Sequence, residues 1–256
     1  MGAPMLAALR RVGFDATGYD IGAVGGADNG TTNDAAVFAN NLNILLTVVR
    51  DVDETEQVLF SDQAFIHTAP DLNTVIVCST VSPRYIHQLR ERLPDHITLY
   101  DAPMSGAQIA AREARLSFML GGDSTGLKRL QPLFAAMGTS FHPMGPLGSG
   151  MAAKVLNNLL AASNTVMTRL VLDWAHLQGL DEGRLLALID KSSGQNWFAG
   201  NFNQIEFARH GYQADNTIGI LKKDVLSALD AAPDNADTRL AELLIEMLTG
   251  LSEKPH

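Results

Sequence analysis

The rhythm of apolar and polar positions changes once along this chain. Up to about Gly145, short apolar runs alternate with segments of helical periodicity; beyond Gly150 the apolar positions recur every three or four residues and no strand-like run follows. The runs at 14–20, 43–49, 74–80, 97–103, 115–122 and 139–144 predict strands. Segments 1–12, 32–40, 53–60, 83–93 and 124–137 predict helices between them, with Asp53 and Ser82 as N-caps. Residues 151–178 contain neither proline nor glycine and read as one long helix closed by Gly179, with Leu180 and Asp181 opening the next. Residues 184–191, 218–231 and 238–251 complete a helical second part.

Strands alternating with helices predict a mostly parallel α/β sheet. The expected architecture is an α/β Rossmann-like domain over 1–147 followed by an all-helical domain over 148–256, the boundary falling in "MGPLGSG". The opening "MGAPM" departs from that plan. Gly2 and Pro4 belong at the turn into a helix, and in a dinucleotide-binding unit a buried strand and a glycine-rich loop come before that turn. The expectation is therefore a Rossmann-like domain with its first strand missing, strand edges left unpaired around 14–20, and weakened cofactor binding.

Composition sharpens the picture. The 256 residues are 46% hydrophobic and 18% charged, enough for a sizeable core. A formal net charge of -9 argues against a general binder of nucleic acid or anionic membranes, though not against a small anionic ligand. Cys78 is the single cysteine, sits in an apolar run and reads as a buried strand residue. The seven histidines show no ligand-like spacing, so no metal site is expected, and His142 and His176 read as packing or surface residues. With no apolar run long enough to span a bilayer, the expected compartment is the cytoplasm.

Five stretches could carry chemistry. Asp20, at a strand end before "IGAVGGADNG", is either a turn residue or an acceptor for ribose hydroxyls that would favour NAD over NADP. "STVSP" places Thr80 outside the carboxyl end of a buried strand, where ligands bind in open parallel sheets, while Ser82 caps the following helix. "DAPMSGA" ends a strand in a turn that is either plain or a cradle for a carboxylate, formed by the Ser105 hydroxyl and nearby amides. No G-x-S-x-G elbow surrounds Ser105, which excludes a serine hydrolase of that type. In "GSGMAAKVLNNLL", Lys154 and Asn158 are four apart and share a helical face; Lys154 is either a surface lysine or a partly buried amine able to exchange a proton near neutral pH. "KKDV" supplies Lys222 and Lys223 with Asp224 beside them, which in isolation reads as a solvated helix face.

Taken in order, these stretches resemble the β-hydroxyacid dehydrogenase family, whose members include hydroxyisobutyrate, tartronate semialdehyde and 6-phosphogluconate dehydrogenases. "MGAPM" looks like the end of that family's dinucleotide fingerprint. "STVSP" is similar to its nicotinamide-side segment, "DAPMSGA" to its substrate motif, "GSGMAAKVLNN" to its lysine signature and "KKDV" to its later K-D-L. The resemblance implies that Lys154 is the general acid/base and Asn158 orients it. It gives substrate binding to Ser105, Gly106 and Lys223, and cofactor binding to Gly2, Asp20, Val49, Arg50 and Thr80. It further implies NAD, or NADP, as cofactor, a small anionic hydroxy acid as substrate, and a homodimer or homotetramer. Ala107 and Arg115 depart from the family pattern, and "SSGQNWFAGNF" offers Trp197 and Phe198 either as walls of a substrate pocket or as helical core. Two rivals stand beside the dehydrogenase: a truncated relative acting only as a binding or oligomerisation module, and an imine or amine reductase, against which the lysine–asparagine pair argues.

Overall fold

The computed structural model describes residues 1–22 and 30–254, Ala107 by its backbone alone. The glycine-rich segment predicted after Asp20 lies, over 23–29, outside the described residues. The chain divides into two units, Met1–Lys154 and Val155–His256.

The first unit runs α1 (Gly2–Arg11), β1 (Gly18–Tyr19), β2 (Thr31–Thr32), α2 (Ala35–Ala39), β3 (Ile44–Thr47), α3 (Val52–Leu59), α4 (Phe65–Thr68), β4 (Thr74–Val77) and α5 (Pro83–Arg92). It continues through β5 (Thr98–Asp101), β6 (Met104–Ser105), α6 (Ala107–Arg112), β7 (Leu116–Gly121), α7 (Ser124–Met137), β8 (Gly138–Gly145) and the start of α8 (Ser149–Leu177). The main sheet has six strands in the order β3-β4-β5-β7-β6, with β8 also on β7. β3, β4 and β5 are parallel, whereas β7 runs antiparallel to β5 and β6 and parallel to β8. β5 and β6 are successive pieces of one partner for β7, and the break falls at Pro103, which has no N–H to donate to a ladder. Both sheet faces are covered, as parallel strands joined by helices require. Val75 and Val77 of β4 pack with Leu59, Ile86 and Leu89 on one face, while Ile76 and Cys78 join Met5, Phe118 and Phe134 on the other.

Several sequence expectations shift. Only Gly18–Tyr19 of the expected strand 14–20 pairs, because the chain after α1 is still closing that helix: Phe14 N–H donates to the Leu9 carbonyl. β1 pairs in parallel with β2 as a separate two-stranded sheet, and Thr31–Thr32 forms that partner instead of opening a helix. Asp34 then caps α2, accepting from the amides of Ala36 and Val37. Asp51, not Asp53, caps α3: its carboxylate lies 2.9 Å from Glu54 N, and Asp53 sits in the first turn. Ser82 caps α5 as expected, accepting from Arg84 N at 3.1 Å.

Among the described residues the second unit contains helices only. The body of α8 packs Ala162 and Val166 against Ile218, Val225, Leu244 and Leu248 of α11 (Thr217–Asp230) and α12 (Arg239–Thr249). Further along, Leu172 packs with Leu186 of α9 (Glu182–Asp190) and Phe198 of α10 (Trp197–Gly200). Asp181 caps α9. Arg169, buried in this unit, donates to the carbonyls of Ala208, His210 and Ser252, so one guanidinium ties two chain segments to α8. No helix among the described residues is long and apolar enough to cross a membrane.

Candidate active site

In the first unit, the C-terminal ends of β3 and β4 are tied together by a side chain just past β4. Ser79 Oγ accepts from Val49 N at 3.0 Å and donates to the Thr47 carbonyl at 3.5 Å, which fixes the loop after β3 against the end of β4. Val49 and Arg50 lie on that loop. The Arg50 side chain turns outward to Glu54, with Nε 2.6 Å from Oε1, and this partner holds the Glu54 carboxyl below the usual glutamate range. Thr80 is half-buried beside them. Ser105 sits in β6, half-buried and in register with Ser117 of β7. Gly106 takes φ +130°, and a Cβ there would strike Ala110, so the turn demands glycine.

The same unit carries the start of α8. Asp101 closes β5 fully buried, and its two carboxylate oxygens accept from Gly148 N at 2.7 Å and Met151 N at 2.6 Å. Burial pushes this carboxyl above the usual aspartate value, with the two backbone donors pulling the other way. Lys154, one turn further along α8, is only 8% exposed. A buried lysine is not the ordinary solvated one.

In the second unit, Asn158 is 9% exposed and its Nδ2 donates to Asp224 Oδ2 at 2.6 Å. Asn157 Nδ2 lies 3.2 Å from Asn158 Oδ1. Asp224 is itself buried, and Lys223 Nζ stands 2.8 Å from its Oδ1 as an ion pair rather than a well-aligned hydrogen bond. The carboxylate therefore fixes which way the Asn158 amide faces and balances the Lys223 charge.

Asp101 and Asp224 received no role from the sequence. The signal for Asp224 is its place on the apolar face of α11 with Leu221, Val225 and Ala228, where a solvated carboxylate does not belong. Asp101 follows two buried strand residues, Leu99 and Tyr100, and gives the same kind of warning. Phe198 belongs to the helical core and is 2% exposed, whereas its neighbour Trp197 is exposed. Arg115 is exposed and pairs with Glu113, and the side chain of Ala107 lies outside the described residues. Among the described residues no group of His, Cys, Asp and Glu side chains is arranged to hold a metal ion.

Two of the features expected of a dinucleotide cradle, a helix start and a strand-end carboxylate, are also in the first unit. The first-turn amides of α1 have no side-chain cap, and Gly2 lies at that helix start, where an added Cβ would come within 3.8 Å of Val48. Uncapped amides at a helix N-terminus suit a pyrophosphate. Asp20, exposed at the end of β1, accepts from Gly22 N at 2.9 Å with one oxygen, leaving the other able to accept from ribose hydroxyls. These residues fit a nicotinamide dinucleotide.

Comparison with known proteins agrees. Residues 1–145 match the model of the NAD-binding domain of 6-phosphogluconate dehydrogenase, and residues 148–253 match that of the NAD-binding region of NADP-dependent 3-hydroxyisobutyrate dehydrogenase. An NAD-dependent L-serine dehydrogenase of Pseudomonas aeruginosa is 30% identical over 93% of this chain and 84% of its own. A 3-hydroxyisobutyrate dehydrogenase of the same organism is 27% identical over 95% of this chain and 86% of its own. The solved structure of Mycobacterium tuberculosis 3-hydroxyisobutyrate dehydrogenase with L-serine superposes with a TM-score of 0.82 at 26% identity, covering 97% of this chain and 89% of that one. These matches define a class, the NAD(P)-dependent oxidoreductases with a Rossmann-like domain and a helical domain. Within it, the chain belongs to the β-hydroxyacid dehydrogenase family.

Proposed function

We propose that this protein transfers a hydride between NAD and a small hydroxy acid, with Lys154 as general acid/base. The observation that carries the reading is the burial of Lys154 one turn into a helix whose first turn is bonded to the end of β5. When bound, the nicotinamide ring supplies the hydride acceptor or donor. In oxidation, uncharged Lys154 takes the hydroxyl proton at Nζ as the C–H bond breaks and the C=O bond forms; in reduction, the ammonium returns that proton to the carbonyl oxygen. Proton transfer by a positioned side chain is worth on the order of 100- to 10,000-fold. Asn158, its amide set by Asp224, is the proposed orienting partner. Ser105 and Gly106 are the proposed carboxylate cradle, and Lys223 the proposed second cation for the substrate. Gly2, Asp20, Val49, Arg50 and Thr80 are assigned to the cofactor. We further divide the chain into a cofactor domain, 1–147, and a substrate and oligomerisation domain, 148–256.

L-serine, 3-hydroxyisobutyrate and 2-hydroxy-3-oxopropionate, taken from the relatives' names, are the first substrates to assay. Lys154→Ala should lower kcat by at least about 100-fold while NAD affinity stays nearly unchanged. A variant retaining half the wild-type rate removes the acid/base role. A second reading, a binding or oligomerisation module without turnover, is favoured by the separation of the β1–β2 pair from the main sheet. Nicotinamide-dependent turnover by the wild-type chain decides between the two.

A further inference from the structure

The Asp101 carboxylate does more than end a strand. Both of its oxygens are spent on one helix start, the amides of Gly148 and Met151. Serine caps α5 and asparagine caps α10 and α11, while the aspartates that cap α2, α3, α7 and α9 are not buried as Asp101 is. Gly150 shows how closely this helix start lies on the strands. A Cβ there would strike the Met119 carbonyl and come within 3.0 Å of the Asp101 carbonyl. The neighbouring residue adds a third attachment, since Val81 N lies 3.4 Å from Met151 Sδ and thereby joins the same turn to the loop that holds Thr80. His87 faces the cluster from α5, where a Cβ on Gly148 would come within 2.8 Å of its Nε2. Lys154 follows Met151 by three residues, hence on the same side of α8 and one turn further.

We propose that Asp101 is a positioning residue for Lys154: by holding the Gly148 and Met151 amides it sets the axial and rotational position of the helix turn that carries the amine. The proposal rests on the acid/base reading of Lys154. A misplacement of about 1 Å at a reacting group costs on the order of 100-fold in rate, so a rigid clamp one turn away matters to chemistry as well as to folding.

Asp101→Asn tests it on the full chain, because the side chain keeps its shape but turns an N–H toward one of the two backbone donors. Asp101→Ser is the second variant, and circular dichroism checks that each is folded. The first readout needs no substrate: with 13C-labelled lysine, the Lys154 resonance, assigned by its loss in Lys154→Arg, should shift in both variants while those of Lys222 and Lys223 stay in place. In hydrogen exchange, the Met151 amide should lose protection by about 100-fold. The kinetic readout should show kcat lowered roughly 100-fold with KM for NAD within about threefold, and no added loss when Asp101→Asn is combined with Lys154→Ala. An unmoved Lys154 resonance, or a loss that multiplies in the double variant, overturns the positioning role. Retention of half the activity by Lys154→Ala instead overturns the acid/base reading, whatever Asp101 does.

Discussion

At the scale of single residues, the proposed chemistry draws on a few polar groups kept where water is scarce. Lys154, Asn158 and Asp224 are each less than a tenth exposed. Burying such groups is costly unless partners are supplied, and for Asn158 the partner is the Asp224 carboxylate. Asp20 is the opposite case, an exposed carboxylate whose value lies in its free oxygen and its charge. In the proposed assignment it would accept hydrogen bonds from a ribose diol and repel a 2′-phosphate. NAD should therefore be preferred to NADP in kcat/KM, and Asp20→Ala should move that ratio toward NADP by roughly tenfold, about 1.4 kcal/mol. A wild-type preference for NADP would remove Asp20 from cofactor selection.

At the scale of elements, caps and cross-element pairs hold the strand ends in place. Glu56 of α3 receives both guanidinium nitrogens of Arg92, each at 2.7 Å, and the Tyr85 hydroxyl of α5 at 2.8 Å. Arg92 also lies 4.1 Å over the Phe60 ring. These hydrogen bonds, Arg92's first, hold the Glu56 carboxyl below the ordinary value of 4.5. A depressed folded value means that the stabilisation is present above the unfolded value and is lost as pH falls through the folded one. Because the pair is partly solvated, it is worth no more than about 1 kcal/mol. Glu56→Gln should cost up to that amount at pH 7 and progressively less as pH falls through the folded value, so thermal unfolding against pH should show the two curves converging in acid. Curves that stay parallel throughout the acid range would show that the pair contributes nothing as a charge.

At the scale of the whole molecule, the second unit leaves an apolar stripe uncovered. Leu156, Leu160, Met167, Trp174 and Leu177 are all exposed along α8, over about 30 Å of helix. A patch of that length is unusual on a monomer. We propose that a second copy of the chain covers it, giving a homodimer or homotetramer. Sedimentation velocity at micromolar concentration should show one of these, and Leu160→Glu with Met167→Glu should shift the protein toward monomer with helicity unchanged. A wild-type monomer at those concentrations would end the proposal.

The sequence by itself determined the change from alternating strands and helices to helices alone, and the order of the main elements. Period-2 and period-3.6 patterning, the Ser82 cap, the change of rhythm near Gly145 and the motif series were all readable because each depends on neighbours close in the chain. Lys154 and Asn158 share a face by spacing alone. Tertiary structure decided what depends on distant partners. Thr31–Thr32 is a strand because Gly18–Tyr19 lies beside it, and β5 and β6 are two pieces because β7 crosses both where Pro103 has no N–H to donate. The same holds for the buried acids. Asp101 meets Gly148 and Met151 across 47 and 50 residues, and Asn158 meets Asp224 across 66. No local pattern encodes a carboxylate's partner at that separation, since a buried acid and a solvated one carry the same letter until the fold sets what surrounds them.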